Sequence, residues 1–258
     1  MNRIKISQVV NAGVLIETNN KKILIDGIHC TNTYEWSFID EKLMNQIIYT
    51  NKDFHNINLL LFSHQHCDHF NKEKTFEYIE NNHIEKLAIC DLCNEELNNY
   101  GILEELKTDF HEEGTIDADD IKVKYFKTKH LKDEQFGINH YSFIINIKNI
   151  NILYMADADF NKKELFDPLW ECKIDVIIAP FIIATYKSGK NFINEINPTL
   201  LILNHLPKKE DDKYNYRILT EKSIVRNLSD VPESVIFQEF NDSVIIYADN
   251  DNITISTV

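Results

Sequence analysis

Apolar residues along this chain fall into short runs that recur from one end to the other, with polar turns or helical patterns between them. The runs at residues 4–10, 14–17, 23–25, 59–62, 87–89, 121–126, 143–147, 152–155, 176–179, 200–203, 234–237, 244–247 and 253–256 read as strands. Ile121-Lys122-Val123-Lys124-Tyr125-Phe126 alternates as a strand with one wet face should, whereas 59–62 and 200–203 are apolar throughout, the pattern of strands buried on both faces. Helical spacing appears at Leu43, Met44, Ile47 and Ile48, and again at Leu165, Phe166, Leu169 and Trp170. Residues 72–80 and 95–106 also read as helices, the second weakened by Gly101. A short helix at 192–196 ends before Pro198, and another covers 223–228. Strands interleaved with helices in this way predict an α/β layered fold.

One strand exit carries chemistry. The apolar run Leu59-Leu60-Leu61-Phe62 leads through Ser63 into His64-Gln65-His66-Cys67-Asp68-His69, an H-x-H-x-D-H pattern. Imidazole nitrogen and carboxylate oxygen are the donors that borderline divalent metals take. Residues i and i+2 of an extended segment share a face, so His64 and His66 can meet one ion, while a turn would send Asp68 and His69 to a second. Three further residues with side chains of the same types follow apolar runs downstream. His130 comes after 121–126, Asp157 ends Ile152-Leu153-Tyr154-Met155-Ala156-Asp157, and His205 ends Leu200-Leu201-Ile202-Leu203-Asn204-His205.

These elements, in this order, resemble the metallo-β-lactamase superfamily over roughly residues 4–250. The resemblance implies a four-layer αββα sandwich built from two pseudo-symmetric halves. The likeness of 59–64 to 200–205 suggests that these strands hold comparable places in the halves. It also implies two divalent metal ions, zinc or manganese with iron as a third option. His64, His66 and His130 would hold one ion, Asp68, His69 and His205 the other, and Asp157 would bridge them. Ala156 departs from the family's usual Gly or Ser before that aspartate. Asp159 competes as the bridge, but Asn161 with Glu164 forms a capping-box pattern that leaves Asp159 in a turn, with a supporting role toward a ligating histidine as its expectation. Asp26, before Gly27, is either the family's supporting aspartate or a plain turn residue. The opening Ser7-Gln8-Val9-Val10-Asn11-Ala12-Gly13-Val14-Leu15-Ile16-Glu17 resembles the branch of metal-dependent hydrolases containing L-ascorbate-6-phosphate lactonase.

Bulk properties narrow the chemistry. The chain has 258 residues, enough to bury a large core without covalent staples, and ligands spread from His64 to His205 favour a single domain over residues 1–258. A formal net charge of −14 disfavours nucleic acid as a partner, since phosphate binding needs basic surface. There is no stretch apolar enough to span a membrane and no apolar signal region at the N-terminus. With five cysteines in no framework spacing, this points to the cytoplasm. Cys90-Asp91-Leu92-Cys93 is an isolated C-x-x-C and reads as structural or accidental. Tyr34, Trp36 and Phe38, upstream of the histidine motif, either pack on the core or wall a substrate pocket. His29 and His140 are ordinary polar residues, supports for metal-ligating residues or substrate contacts, and His55, His83 and His111 are surface residues.

The function implied is a binuclear hydrolase in which a metal-bridging hydroxide cleaves a small ester, lactone or phosphoester, with Asp68 orienting the water and passing its proton to the leaving group. A phosphodiesterase or nuclease of the tRNA-processing type is the alternative, and a metal-loaded sensor or interaction protein without catalysis is a third. A homo-oligomer is left open.

Overall fold

The computed structural model describes residues 2–29, 37–90, 100–132, 137–228, 233–249 and 252–257. The chain divides into two units, residues 1–106 with 239–258, and residues 107–238.

The first unit is an eight-stranded mixed sheet. Its strands are β1 (Asn2–Gln8), β2 (Val14–Glu17), β3 (Lys22–Ile25), β4 (Ile57–Leu61), β5 (Ile84–Ile89), β6 (Leu103–Glu105), β14 (Ser243–Asp249) and β15 (Asn252–Thr257), in the order β15-β14-β1-β2-β3-β4-β5-β6. Pairing is antiparallel from β15 to β3 and parallel from β3 to β6. Parallel neighbours cannot be joined by a tight turn, so helices make the crossovers. Helix α1 (Glu41–Asn45) starts on Asp40, whose carboxylate accepts from Leu43 N at 2.8 Å, and runs on into a π-helical turn, Gln46–Thr50. Helix α2 (Lys72–Asn81) is capped by Asn71. Leu43, Met44, Ile47, Ile48, Tyr78 and Ile79 pack on Leu24, Leu60 and Leu87 of the sheet.

The second unit is a seven-stranded mixed sheet. Its strands are β7 (Glu113–Ala118), β8 (Ile121–Thr128), β9 (His140–Ile147), β10 (Ile150–Tyr154), β11 (Val176–Pro180), β12 (Leu200–Asn204) and β13 (Glu233–Ile236), in the order β13-β12-β11-β10-β9-β8-β7. It is antiparallel from β7 to β10 and parallel from β10 to β13. Helices α3 (Lys187–Ile196) and α4 (Tyr216–Asn227) supply crossovers, and Phe192, Ile193 and Leu228 join Phe166, Ile177 and Leu201 in its core. Every residue of β4 and of β12 is buried, as their unbroken apolar runs predict. No helix among the described residues is long and apolar enough to cross a membrane.

Each sheet is thus an antiparallel meander running into three parallel strands, which is the pseudo-symmetry of the halves. Within it, β4 follows the last meander strand of its sheet, and its counterpart is β11 rather than β12. The likeness of 59–64 to 200–205 therefore joins strands in different places. It reflects shared burial, not shared position.

Three expectations are corrected. Residues 103–105 are strand β6 rather than part of a helix over 95–106, whose residues 95–99 lie outside the described segments. Gly101 takes a φ of 65°, and Leu87 N donates to Ile102 O while Leu106 N donates to Ile89 O, so pairing with β5 overrides helical spacing. Residues 165–170 form two 3-10 turns, because Pro168 has no amide to donate within a helix. The capping box at Asn161 does not form; the turn there starts at Lys162 with no side-chain cap. The polar edge strand β7, with only Ile116 and Ala118 buried, had no apolar run to announce it.

Gly189 offers a test of packing against propensity. Alanine is worth about 1 kcal/mol over glycine within a helix. A Cβ at Gly189, however, would lie 2.0 Å from the Ile183 carbonyl oxygen, a backbone atom that cannot swing aside. Overpacking of this kind costs about 1–3 kcal/mol, so Gly189→Ala should lower the urea midpoint despite its better propensity. A raised midpoint would show that α3 shifts at no cost.

Candidate metal centre

In the first unit, β3 and β4 leave the sheet side by side, and Asp26 N still donates to Leu61 O at 3.0 Å. Asp26 then takes a left-handed φ of 48°, which costs a residue with a Cβ about 1–2 kcal/mol. The turn carries its carboxylate to the exit of β4. There it accepts from Ser63 N at 2.8 Å, Ser63 Oγ at 2.6 Å and His69 Nδ1 at 2.9 Å, all without solvent exposure. Asp26 is therefore both of the things its sequence position allowed, a turn residue and a support for a histidine.

The Ser63 hydroxyl gives its proton to Asp26, so it can only receive from His64 Nδ1, 2.9 Å away. That fixes the tautomer of His64, with Nε2 bearing the in-plane electron pair. The bond from His69 Nδ1 to Asp26 does the same for His69. His66 lies two residues along the extended segment, and its Nδ1 is 2.9 Å from His64 Nε2. The chain then turns, with His66 O accepting from His69 N and Phe70 N, and an isolated bridge between Ile28 and Phe70 holds the turn in place. The turn sets Asp68 Oδ2 3.9 Å from His69 Nε2 and 3.3 Å from Asn11 Nδ2. His29 is fully buried beside this cluster, its Nε2 3.3 Å from Val10 O.

In the second unit, β8, β10 and β12 run in one direction, so their C-terminal ends share an edge, where sheets with parallel strands place their sites. Beyond β8, His130 bridges to Ala158, with Leu131 N donating to Asp157 O and Asp159 N to Lys129 O, each at 2.7 Å. His130 Nδ1 donates to Leu131 O at 2.8 Å, and its Nε2 lies 3.3 Å from Asp157 Oδ2. The other oxygen, Asp157 Oδ1, lies 3.3 Å from His205 Nε2. Ala156 and His205 are left-handed, with φ of 46° and 58°. That strain explains why glycine suits the position before the aspartate. His140, fully buried on β9, accepts from Asp157 N at 3.1 Å. Asp159 does not support a histidine as expected: its Oδ1 accepts from Asn161 N and Nδ2, and it closes a local turn.

Divalent ions fit these donors. Two nitrogens on one zinc ion lie about 3.3 Å apart, and separations of 2.9 and 3.3 Å recur in the two clusters. His64, His69 and His130 each tie one ring nitrogen to the protein, the arrangement that ligating histidines require. Ser63 and Asn11 were missed from sequence, the only hint being a small polar residue at a buried strand exit, while a supporting role for His140 was one of the alternatives its position left open. Of the aromatic segment, Tyr34 and Trp36 lie outside the described residues and Phe38 is half-buried. Cys93 also lies outside them, and Cys90 is buried. His83 and His111 are exposed, and His55 is half-buried.

Residues 5–205 match the model of the β-lactamase superfamily domain, and the chain belongs to that family. A search of curated proteins finds no match. Among solved structures, the chain resembles CmlA, a diiron β-hydroxylase from Streptomyces venezuelae, at a TM-score of 0.63 and 11% identity over 92% of this chain and 53% of that one. It thus spans about half the length of CmlA. It resembles the metallo-β-lactamase fold protein YhfI from Bacillus subtilis at 0.62 and 14% identity, covering 94% of this chain and 99% of that one. It resembles the metallo hydrolase Igni18 from Ignicoccus hospitalis at 0.60 and 12% identity, covering 96% and 100%. Two mixed sheets with flanking helices make this the α/β fold of the metallo-β-lactamases.

Burial, and next the neighbouring His69, hold His29 down to a pKa of about 4, against 6.5 for an ordinary histidine. The unfolded chain therefore takes up this proton first as pH falls. The stability concerned is fully present above about pH 6.5 and is lost towards pH 4, an effect of about 3 kcal/mol. Urea midpoints of the metal-free protein should fall across that window, and His29→Leu should flatten the decline. An unchanged slope would remove His29 as its source.

Proposed function

We propose that this chain is a binuclear metal-dependent hydrolase acting on a small ester, lactone or phosphoester, its two units forming one working domain. One observation carries the reading. In each unit, imidazoles pinned through one ring nitrogen turn the other toward a second metal-type donor, His64 toward His66 and His130 toward Asp157. Buried clusters of this kind have little reason to exist without cations. Following the family pattern, His64, His66 and His130 serve one ion, Asp68, His69 and His205 the other, and Asp157 both.

When bound, the ions supply Lewis acidity and lower the pKa of coordinated water, which gives a nucleophile at neutral pH. The chain supplies the geometry. Asp26 and Ser63 lock His64 and His69, and Asn11 steadies Asp68. Asp68 is the residue placed to orient the attacking water and move its proton to the leaving group. The segment from Ser7 to Glu17 supports a place near the L-ascorbate-6-phosphate lactonase branch, and manganese is the metal that this branch suggests. The acidic balance of the chain favours a small-molecule substrate over nucleic acid.

The test is metal analysis of protein purified without added metal, followed by a panel of generic esters, lactones and phosphodiesters. About two divalent ions per chain and turnover on at least one class are expected. His66→Ala and Asp157→Ala should each lose ~100-fold or more of that turnover, at least the loss that removing a ligand's support produces. Equal turnover in those variants would exclude metal catalysis at these residues.

A further inference from the structure

We propose that His140 is a positioning residue that sets Asp157 in place by accepting its backbone proton, and that Thr128 and Ser142 fix the tautomer this requires. The proposal rests on Asp157 being a metal ligand for its consequence, and on geometry alone for its existence.

The proton order along this network is forced. Asp157 N is a backbone amide and can only donate, so His140 Nε2, 3.1 Å away, must be the unprotonated nitrogen. The ring proton of neutral His140 then sits on Nδ1 and goes to Thr128 Oγ1 at 2.7 Å. Thr128 lies 3.3 Å from Ser142 Oγ, and Ser142 donates to Met155 O at 3.3 Å, so the Thr128 hydroxyl passes its own proton to Ser142. Thr128, His140 and Ser142 are at most 1% exposed, so water does not compete for these bonds.

The ends of the chain of bonds show its purpose. Met155 O and Asp157 N are the backbone groups on either side of Ala156, the left-handed residue that turns β10 toward the cluster. The network grips both sides of a strained turn whose next side chain lies within 3.3 Å of His130 and His205. A misplaced Asp157 would lose both neighbours together. None of this calls on His140 to touch substrate.

Two substitutions separate the two ring nitrogens. The amide of His140→Gln reaches about as far as Nε2 and can accept from Asp157 N, whereas that of His140→Asn reaches only as far as Nδ1 and can serve Thr128 alone. In the metal-free protein, hydrogen exchange should find the Asp157 amide protected in wild type and His140→Gln, and exchanging at least ~10-fold faster in His140→Asn. With Zn²⁺ added, equilibrium dialysis should give His140→Asn an affinity ~10–100-fold weaker than wild type, with His140→Gln in between. Thr128→Val, which frees the ring to reverse its tautomer, should behave like His140→Asn. Circular dichroism and thermal melts establish that each variant is folded. Should His140→Asn fail to fold, Thr128→Val carries the same comparison. Equal Asp157 exchange in folded wild type and His140→Asn or Thr128→Val overturns the proposal, as does a His140→Gln variant as impaired as His140→Asn. Wild type that protects the amide but binds no metal would leave the positioning in place and overturn the hydrolase reading alone.

Discussion

An imidazole can present an electron pair to a cation only when its proton sits on the other nitrogen, and in a buried cluster that choice cannot be left to solvent. The proton placement of His64, His69 and His130 is set by neighbours that can act in one sense only. The Asp26 carboxylate accepts, the Leu131 carbonyl accepts, and the Ser63 hydroxyl, its proton already committed to Asp26, accepts as well. Without these bonds each ring would divide between two tautomers, and a bound ion would have to select one at the expense of affinity. The cluster also needs internal partners to offset its burial: His64 and His69 are fully buried, and one ring of the close His64–His66 pair must donate to the other.

Bringing these groups together takes backbone conformations that the residues themselves disfavour. Asp26, Ala156 and His205 are left-handed at the ends of β3, β10 and β12, and none is glycine. Strands that continued straight would run their side chains along the sheet edge. The left-handed step turns them across it, where a neighbouring strand exit supplies the next donor. Strain of this kind persists only where surrounding bonds over-determine it. Here they do: three donors converge on Asp26, and the backbone on both sides of Ala156 is held by buried side chains.

The sequence disclosed what is local and hid what is distant. His64, His66, Asp68 and His69 lie within six residues, and strand geometry with one turn relates them, so their grouping could be read directly. Asp157 and His205 were legible through the family resemblance, as polar residues at the ends of apolar runs. Asp26 stayed ambiguous because its decisive bonds reach 37 and 43 residues away, to Ser63 and His69. Asn11 was opaque and His140 stayed ambiguous for the same reason. Asn11 meets Asp68 across 57 residues, and His140 meets Asp157 across 17, with a strand turn between. Spacing rules describe neighbours on one strand or helix, and these contacts are made between elements. The failed helix at 103–105 repeats the lesson, since its helical spacing gave way to a ladder with β5.

Comparing the two sheets strand by strand exposes an exchange of roles. Each meander ends on a strand that leads into the parallel set, β3 in one sheet and β10 in the other, and each of these ends in a left-handed residue. After β3 that residue is an acid, Asp26, which spends its oxygens on Ser63 and His69 and so supports histidines. After β10 it is Ala156, the acid comes one residue later, and a histidine, His140, supports the acid. A carboxylate that accepts three internal hydrogen bonds has little capacity left for an ion. One held through its backbone amide can turn its two oxygens toward two different histidines, His130 and His205. A left-handed step close to the ends of corresponding strands thus accompanies two aspartates supported in different ways, Asp26 through its side chain and Asp157 through its main chain.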